Sequence, residues 1–161
     1  MTSQPRIQEL AAFAHSLEEE LDWEFDHEEF DDRFFMQKYV KFAESFGYDS
    51  PYSYGIHLHG PYSPMLAEDY YDQEFHEELE ETEAGLAYFD LDGFVDFIEG
   101  KSQEYLEVAA TVKAIYDRYE SSIEQGLYEI SDVFERVSEI KRVSQSEVGD
   151  IFSDLQEHDI V

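Results

Sequence analysis

Residues 50–67 read SPYSYGIHLHGPYSPMLA. These eighteen positions hold no Asp, Glu, Lys or Arg, although 31% of the chain is charged. At that composition such a run arises by chance about once in a thousand starting points. In a chain that puts charge on nearly every surface, the run is either internal or reserved for contact. Tyr54 to His59 reads as a short strand, because Ile56 and Leu58 alternate with His57 and His59. Gly60-Pro61 is expected to turn the chain. Ser63 is expected to cap the next helix, with Pro64 at its first position. Together with a second short strand at Leu86–Phe89, this predicts a small β hairpin over 54–63 and 86–89.

Working outward, the rest of the chain has helical periodicity. Pro5 opens a helix with Ile7, Leu10, Ala11, Ala14, Leu17 and Leu21 at helical spacing. A second helix is expected from about Glu28 to Phe46, closed by Gly47, with Phe35, Tyr39, Phe42 and Phe46 as one stripe. The helix capped by Ser63 is expected to run to about Glu78. Asp92 starts a short helix with Phe94, Phe97 and Ile98, and Ser102 starts a long one to about Tyr119. Ser131 is expected to cap a further helix. Ser144-Gln145-Ser146-Glu147 has the capping-box pattern for the last one. The expected fold class is therefore mainly α (α+β). It is a single domain, residues 1–161, with a helical core over 1–120 and a helix-turn-helix-like, wingless end over 121–161.

The chain has 161 residues, with 40 Asp+Glu against 10 Lys+Arg and a formal net charge of −30. Yet 42% is hydrophobic and 16% aromatic, which disordered acidic tails lack. No apolar run is long enough to span a membrane, and the N-terminus has no signal-peptide core. With no cysteine, disulfides, zinc ribbons and thiol nucleophiles are excluded. These features predict a cytoplasmic protein without a membrane partner. Charge of this size on a small domain repels itself in dilute buffer. Concentrated salt shortens the Debye length to about 3 Å at 1 M and removes that cost. The acids are spread along the whole chain, and only five residues are Lys. The reading is a protein of a salt-in halophile, a haloarchaeon, rather than a nucleic-acid mimic, whose acids would gather on one face.

Residues 33–43, RFFMQKYVKFA, form a basic island with Arg33, Lys38 and Lys41 and no acid. Arg33, Gln37 and Lys41 fall at i, i+4 and i+8, one stripe of a helix. One reading is a contact for an acidic protein or a nucleic acid. The other is a buried helix whose cations pair with nearby carboxylates. The uncharged hairpin is expected to pack against this helix. Its outer edge, with Arg33, Gln37, Lys38, Lys41 and Tyr62, is then the candidate partner-binding face. In the C-terminal pair the second helix carries Glu147, Asp150, Asp154 and Glu157 and no cation. That composition favours protein docking over DNA readout, since phosphate contacts need cations or neutral donors.

The run Met36-Gln37-Lys38-Tyr39-Val40 resembles the "LQKLVY" helix of the YwgA-like proteins. The run Gly60-Pro61-Tyr62-Ser63-Pro64, continuing through Met65-Leu66-Ala67, is similar to their "GPYSPELA" turn. The order of helix, strand, turn, long helix and closing helical pair is also similar over about 130 residues. In its parts that family is similar to the SocA-type (Panacea) antitoxin domain. The resemblance implies a helical fold and a regulatory or toxin-neutralising binding module, whose protein partner is a toxin or a regulator.

Catalytic chemistry has little support. No Gly-rich phosphate loop, GxSxG or HExxH pattern is present, and no cofactor is expected. His57 and His59, at i and i+2 on a strand, would share one face and are weak candidate metal ligands. Asp90-Leu91-Asp92-Gly93 fails as a calcium loop, because its Gly comes fourth rather than sixth. Tyr62 and Ser63 have turn-packing and capping roles. The function read from the sequence is a non-enzymatic regulatory or protein-interaction module. The alternatives are a nucleic-acid-associated regulator using the basic island, and a small metal-dependent enzyme at His57/His59.

Overall fold

The computed structural model describes residues 4–161. Among them are eight α-helices and one antiparallel two-stranded hairpin. The chain divides into two compact units. The first holds the chain up to Gly55 and residues Tyr62–Glu99, and the second holds Ile56–Pro61 and Gly100–Val161. The division expected at residue 120 falls inside a helix instead. The long helix belongs with the last two helices, because they share one apolar core.

In the first unit, α1 (Pro5–Leu21) begins with proline at its first turn, where the missing N–H costs nothing. Its Ile7, Leu10, Phe13, Ala14 and Leu17 are buried. Helix α2 (Phe30–Ala43) continues as a 3-10 turn (Glu44–Phe46) and stops at Gly47, whose φ is +105°. It begins two residues later than its periodicity suggests. Asp26 accepts from the Glu28 amide (2.9 Å) and Asp32 from the Asp26 amide (2.9 Å), so side chains take the amides a longer helix would use.

The helix expected to run from Ser63 to Glu78 is two helices, α3 (Pro64–Tyr71) and α4 (Gln73–Glu81). Asp72 breaks them apart by leaving the helical region (ψ 136°) and capping α4 through the Glu74 amide. Helix α5 (Leu91–Ile98) is capped by Asp90, slightly before the expected start. Helix α1 packs on α4 and α5, and α2 on α3. Rings fill much of this core. Phe13 lies 5.1 Å from Tyr48 and 5.4 Å from Phe89 between ring centroids, and Phe42 lies 5.0 Å from Phe97.

Two strand expectations are corrected. Strand β1 is Gly55–His57 and strand β2 is Gly60–Tyr62. Gly60-Pro61 is thus the start of β2, and the turn is Leu58-His59. Gly60 has φ +90°, as in hairpins whose tight turn is followed by a left-handed glycine. Leu86–Phe89 is not a strand. It lies against the corner at Gly47, where the Asp90 amide donates to the Phe46 carbonyl at 2.7 Å. A Cβ at Gly47 would stand 2.2 Å from the Tyr88 carbonyl oxygen, so only glycine fits.

The second unit is built on α6 (Gln103–Glu124), capped by Ser102 as expected. Helix α6 packs on both α7 (Ile130–Lys141) and α8 (Gln145–Glu157), which pack on each other. Leu106, Ala109, Val112, Val133, Val137, Val148 and Leu155 are fully buried. The cap of α7 is Glu129, in a reciprocal capping box with Asp132, rather than Ser131. Ser144 caps α8 through the Glu147 amide. Among the described residues no helix is long and apolar enough to cross a membrane.

Candidate protein-interaction site

The two sequence motifs meet in the first unit, and one side chain joins them. Gln37 on α2 is 2% exposed. Its Nε2 donates to the Ser63 carbonyl at 3.0 Å, and its Oε1 accepts from the Ser63 amide at 2.8 Å. The side-chain amide thus meets both backbone groups of a fully buried residue, whose carbonyl also accepts from the Ala67 amide at 3.2 Å. The Ser63 hydroxyl meanwhile accepts from the Leu66 amide at 3.2 Å and caps α3. Burial pushes the Tyr70 phenol up to about 12, with Gln37 and Tyr62 both facing it. Tyr62 is half-buried, so it belongs to this packed corner.

This geometry corrects the expected contact stripe. Gln37 and Lys38 do not face outward, as Lys38 is 1% exposed and its Nζ lies 4.8 Å from the Phe34 ring centroid. Lys41 is drawn inward too, 5.2 Å from the Tyr54 ring centroid and 3.8 Å from Glu44. The apolar stripe of α2 is wider than its strict helical seam, so the cations at its margins are covered by neighbouring rings.

A second network underlies the uncharged run. Tyr52 donates to Asp69 at 2.7 Å, and Arg6 forks onto the same carboxylate at 2.9–3.2 Å. Asp69 is 2% exposed. Burial, and then the bond to Asp69, raises the Tyr52 phenol far above its ordinary range. Nothing in the sequence marks Asp69 among 40 acids, because its partner Arg6 is 63 positions away.

Arg33 is half-buried near the start of α2, beside the exposed Phe30. It donates to the His27 carbonyl at 2.9 Å, and its guanidinium carbon lies 5.8 Å from the Phe30 ring centroid. Phe30 is 48% exposed and Tyr71 52% exposed. The His27 ring contacts Tyr71 (5.3 Å) on one side and His76 (4.6 Å) on the other. Next to these rings is a cleft of about 560 Å³ lined by Glu24, Phe25, Asp26, His27, Glu29, Asp32 and His76. Burial, and then His27, holds the His76 imidazole below its ordinary value. The sequence signal for this patch was weak: Phe30 and Tyr71 look like ordinary core positions until the ends of α2 and α3 leave them at the surface.

The histidines of the hairpin do not form the expected pair. His57 ends β1, while His59 is in the turn, so they are not i, i+2 residues of one strand. Within the second unit, His59 and Lys141 both approach Glu107, at 3.3 and 3.2 Å. Lys141 also donates to the Leu58 carbonyl at 3.2 Å. On α8, Asp154 accepts from Tyr105 and lies 3.3 Å from Lys101. Among the described residues no group of three or more His, Asp or Glu is arranged to hold a metal ion.

No protein-family model, curated protein or solved structure matches this chain.

Proposed function

We propose that the protein is a non-enzymatic protein-interaction module of regulatory type, working in the cytoplasm of a salt-in halophile. The observation that carries this reading is the patch of Phe30, Tyr71, His27 and Arg33. It places half-exposed rings and a cation on a molecule of net charge −30. Rings and arginine are the side chains that dominate binding energy at protein interfaces. The resemblance of the Gln37 and Gly60–Pro64 motifs to YwgA-like and antitoxin-related domains supports a regulatory or toxin-neutralising role. Helices α7 and α8, joined by three residues, fit a helix-turn-helix-like docking pair. The acids of α8 favour a protein over a nucleic acid there.

The tests are direct. Affinity purification in molar KCl is expected to capture a stoichiometric protein partner. The double variant Phe30→Ser, Arg33→Glu should lose that partner while keeping its unfolding midpoint. Undiminished capture by the variant rejects the patch as the contact. Habitat has its own expected result. Thermal unfolding followed from about 0.1 M to about 2 M KCl should show a steep rise in midpoint, because salt screens the self-repulsion of the acidic coat. A flat response rejects the halophilic reading.

A further inference from the structure

The first unit holds another cleft, of about 560 Å³, between α1 and the segment joining α4 to α5. That volume is typical of sites for small molecules. Glycines shape its outer wall. Gly47 packs against the Tyr88 carbonyl, and a Cβ at Gly85 would collide with Ser16 Oγ on α1. The segment is thus held close at both ends, with Leu86, Ala87 and Tyr88 spanning the gap opposite Gln8, Glu9 and Ala12. Tyr88 has φ +62°, a left-handed backbone that disfavours tyrosine, and the residue is 97% exposed. No packing inside the protein offsets that strain.

Tyr48 forms the floor. It is 3% exposed, and its hydroxyl is buried with no hydrogen-bond partner. The same residue lines the adjoining smaller cleft at Glu44 and Ser50, so both openings at this corner lead to it. Buried polar atoms in folded proteins are nearly always bonded, and an orphan beneath a cleft points to an occupant. Burial, and then Glu9 ahead of Asp69 and Glu44, raises the Tyr48 phenol above its ordinary range. The charge that acts most strongly on the phenol is therefore one that lines the cleft. The polar groups at the rim decide the class of occupant. They are the Gln8 amide and the exposed carboxylates of Glu9 and Asp49, and no Lys, Arg or His lines the cleft. Carboxylates only accept, so the fitting occupant brings N–H donors and positive charge.

We propose that this cleft binds a small organic amine, with its ammonium group between Glu9 and the Tyr48 hydroxyl and its apolar body against Leu86, Ala87 and Tyr88. The hydroxyl accepts from the ammonium, the carboxylate pairs its charge, and the exposed Tyr88 ring covers the body. The site shares no residue with the patch of Phe30, Tyr71, His27 and Arg33. It is a small-molecule site beyond the protein contact, and its test does not depend on partner capture.

The probe is phenethylamine, titrated against the full chain in molar KCl and followed by amide NMR. Saturable shifts are expected at residues 8–12, 47–49 and 85–88. Phenethyl alcohol has the same body without the charge and should bind at least about tenfold more weakly. Tyr48→Phe removes a single oxygen and keeps the ring against Phe13, 5.1 Å away between centroids. Because that oxygen bonds nothing in the free protein, the unfolding midpoint should stay or rise while amine affinity falls about fivefold or more. Glu9→Gln, at an exposed position, should weaken the amine by a similar factor. Absence of saturable shifts, shifts confined to other residues, equal binding of the alcohol, or unchanged amine affinity in Tyr48→Phe or in Glu9→Gln overturns the proposal. A lowered midpoint in Tyr48→Phe also overturns it, because the hydroxyl would then have a partner within the protein.

Discussion

Gln37→Leu is expected to destabilise the protein by about 1–3 kcal/mol, because it leaves the buried Ser63 amide without a partner, while the Ser63 carbonyl keeps the Ala67 amide at 3.2 Å. Leucine keeps most of the volume, so little of the loss is cavity. What disappears is the pair of bonds to the Ser63 carbonyl and amide, at 3.0 and 2.8 Å. Ser63 is fully buried, so water does not replace them. Gln37→Glu separates the two bonds. A carboxylate still accepts from the Ser63 amide, but it faces the Ser63 carbonyl with no donor and is buried at a position 2% exposed. Both variants should unfold at lower denaturant with an unchanged slope, measured in molar KCl. A loss below about 1 kcal/mol for Gln37→Leu, the size of one ordinary net hydrogen bond, would show that the motif junction is not held by this side chain.

The second large effect is expected at the carboxylate beneath the uncharged run. Arg6→Met leaves Asp69 buried, with the bond from Tyr52 at 2.7 Å as its remaining side-chain hydrogen bond. Breaking one side of a buried pair costs about 3–5 kcal/mol, and the low end applies here because the Arg6 side chain is 37% exposed. Asp69→Leu removes the buried charge and frees Tyr52, whose hydroxyl then lacks its acceptor. The double variant Arg6→Met, Asp69→Leu should be more stable than the sum of the single losses predicts, since no charge is left uncompensated. Strict additivity in denaturant unfolding of the four proteins would deny the coupling that the geometry describes.

These two sites show where sequence reading reached and where it stopped. The helices were legible because their apolar residues recur at helical spacing and their ends carry strong local signals: Pro5, Gly47, Ser63-Pro64, Ser102 and Ser144. The breaks that were missed came from competition by acids. Asp26 and Asp32 delayed α2, Asp72 split α3 from α4, and Glu129 took the cap assigned to Ser131. An Asp or Glu bonding a nearby amide leaves no period in the hydrophobic pattern, so such breaks are invisible to it. Of the expected hairpin only the part within 54–63 forms: both strands lie there, none at Leu86–Phe89, and the turn comes two residues before the expected Gly60-Pro61. Its glycine supports a positive φ after the turn rather than within it.

The site followed the same division. Local chemistry in the sequence determined an acidic coat, a helical chain, one uncharged segment and two motifs. The tertiary structure alone decided that Gln37 and Lys38 turn inward and that Lys41 is drawn against Tyr54. It also decided that Arg33 is half-buried beside the exposed Phe30. A helix face has no inside until its neighbours are placed. The meeting of Gln37 with Ser63 across 26 positions, and of Arg6 with Asp69 across 63, depends on chain closure that no local period encodes. Periodicity is a property of neighbours along the chain, and burial is a property of neighbours in space.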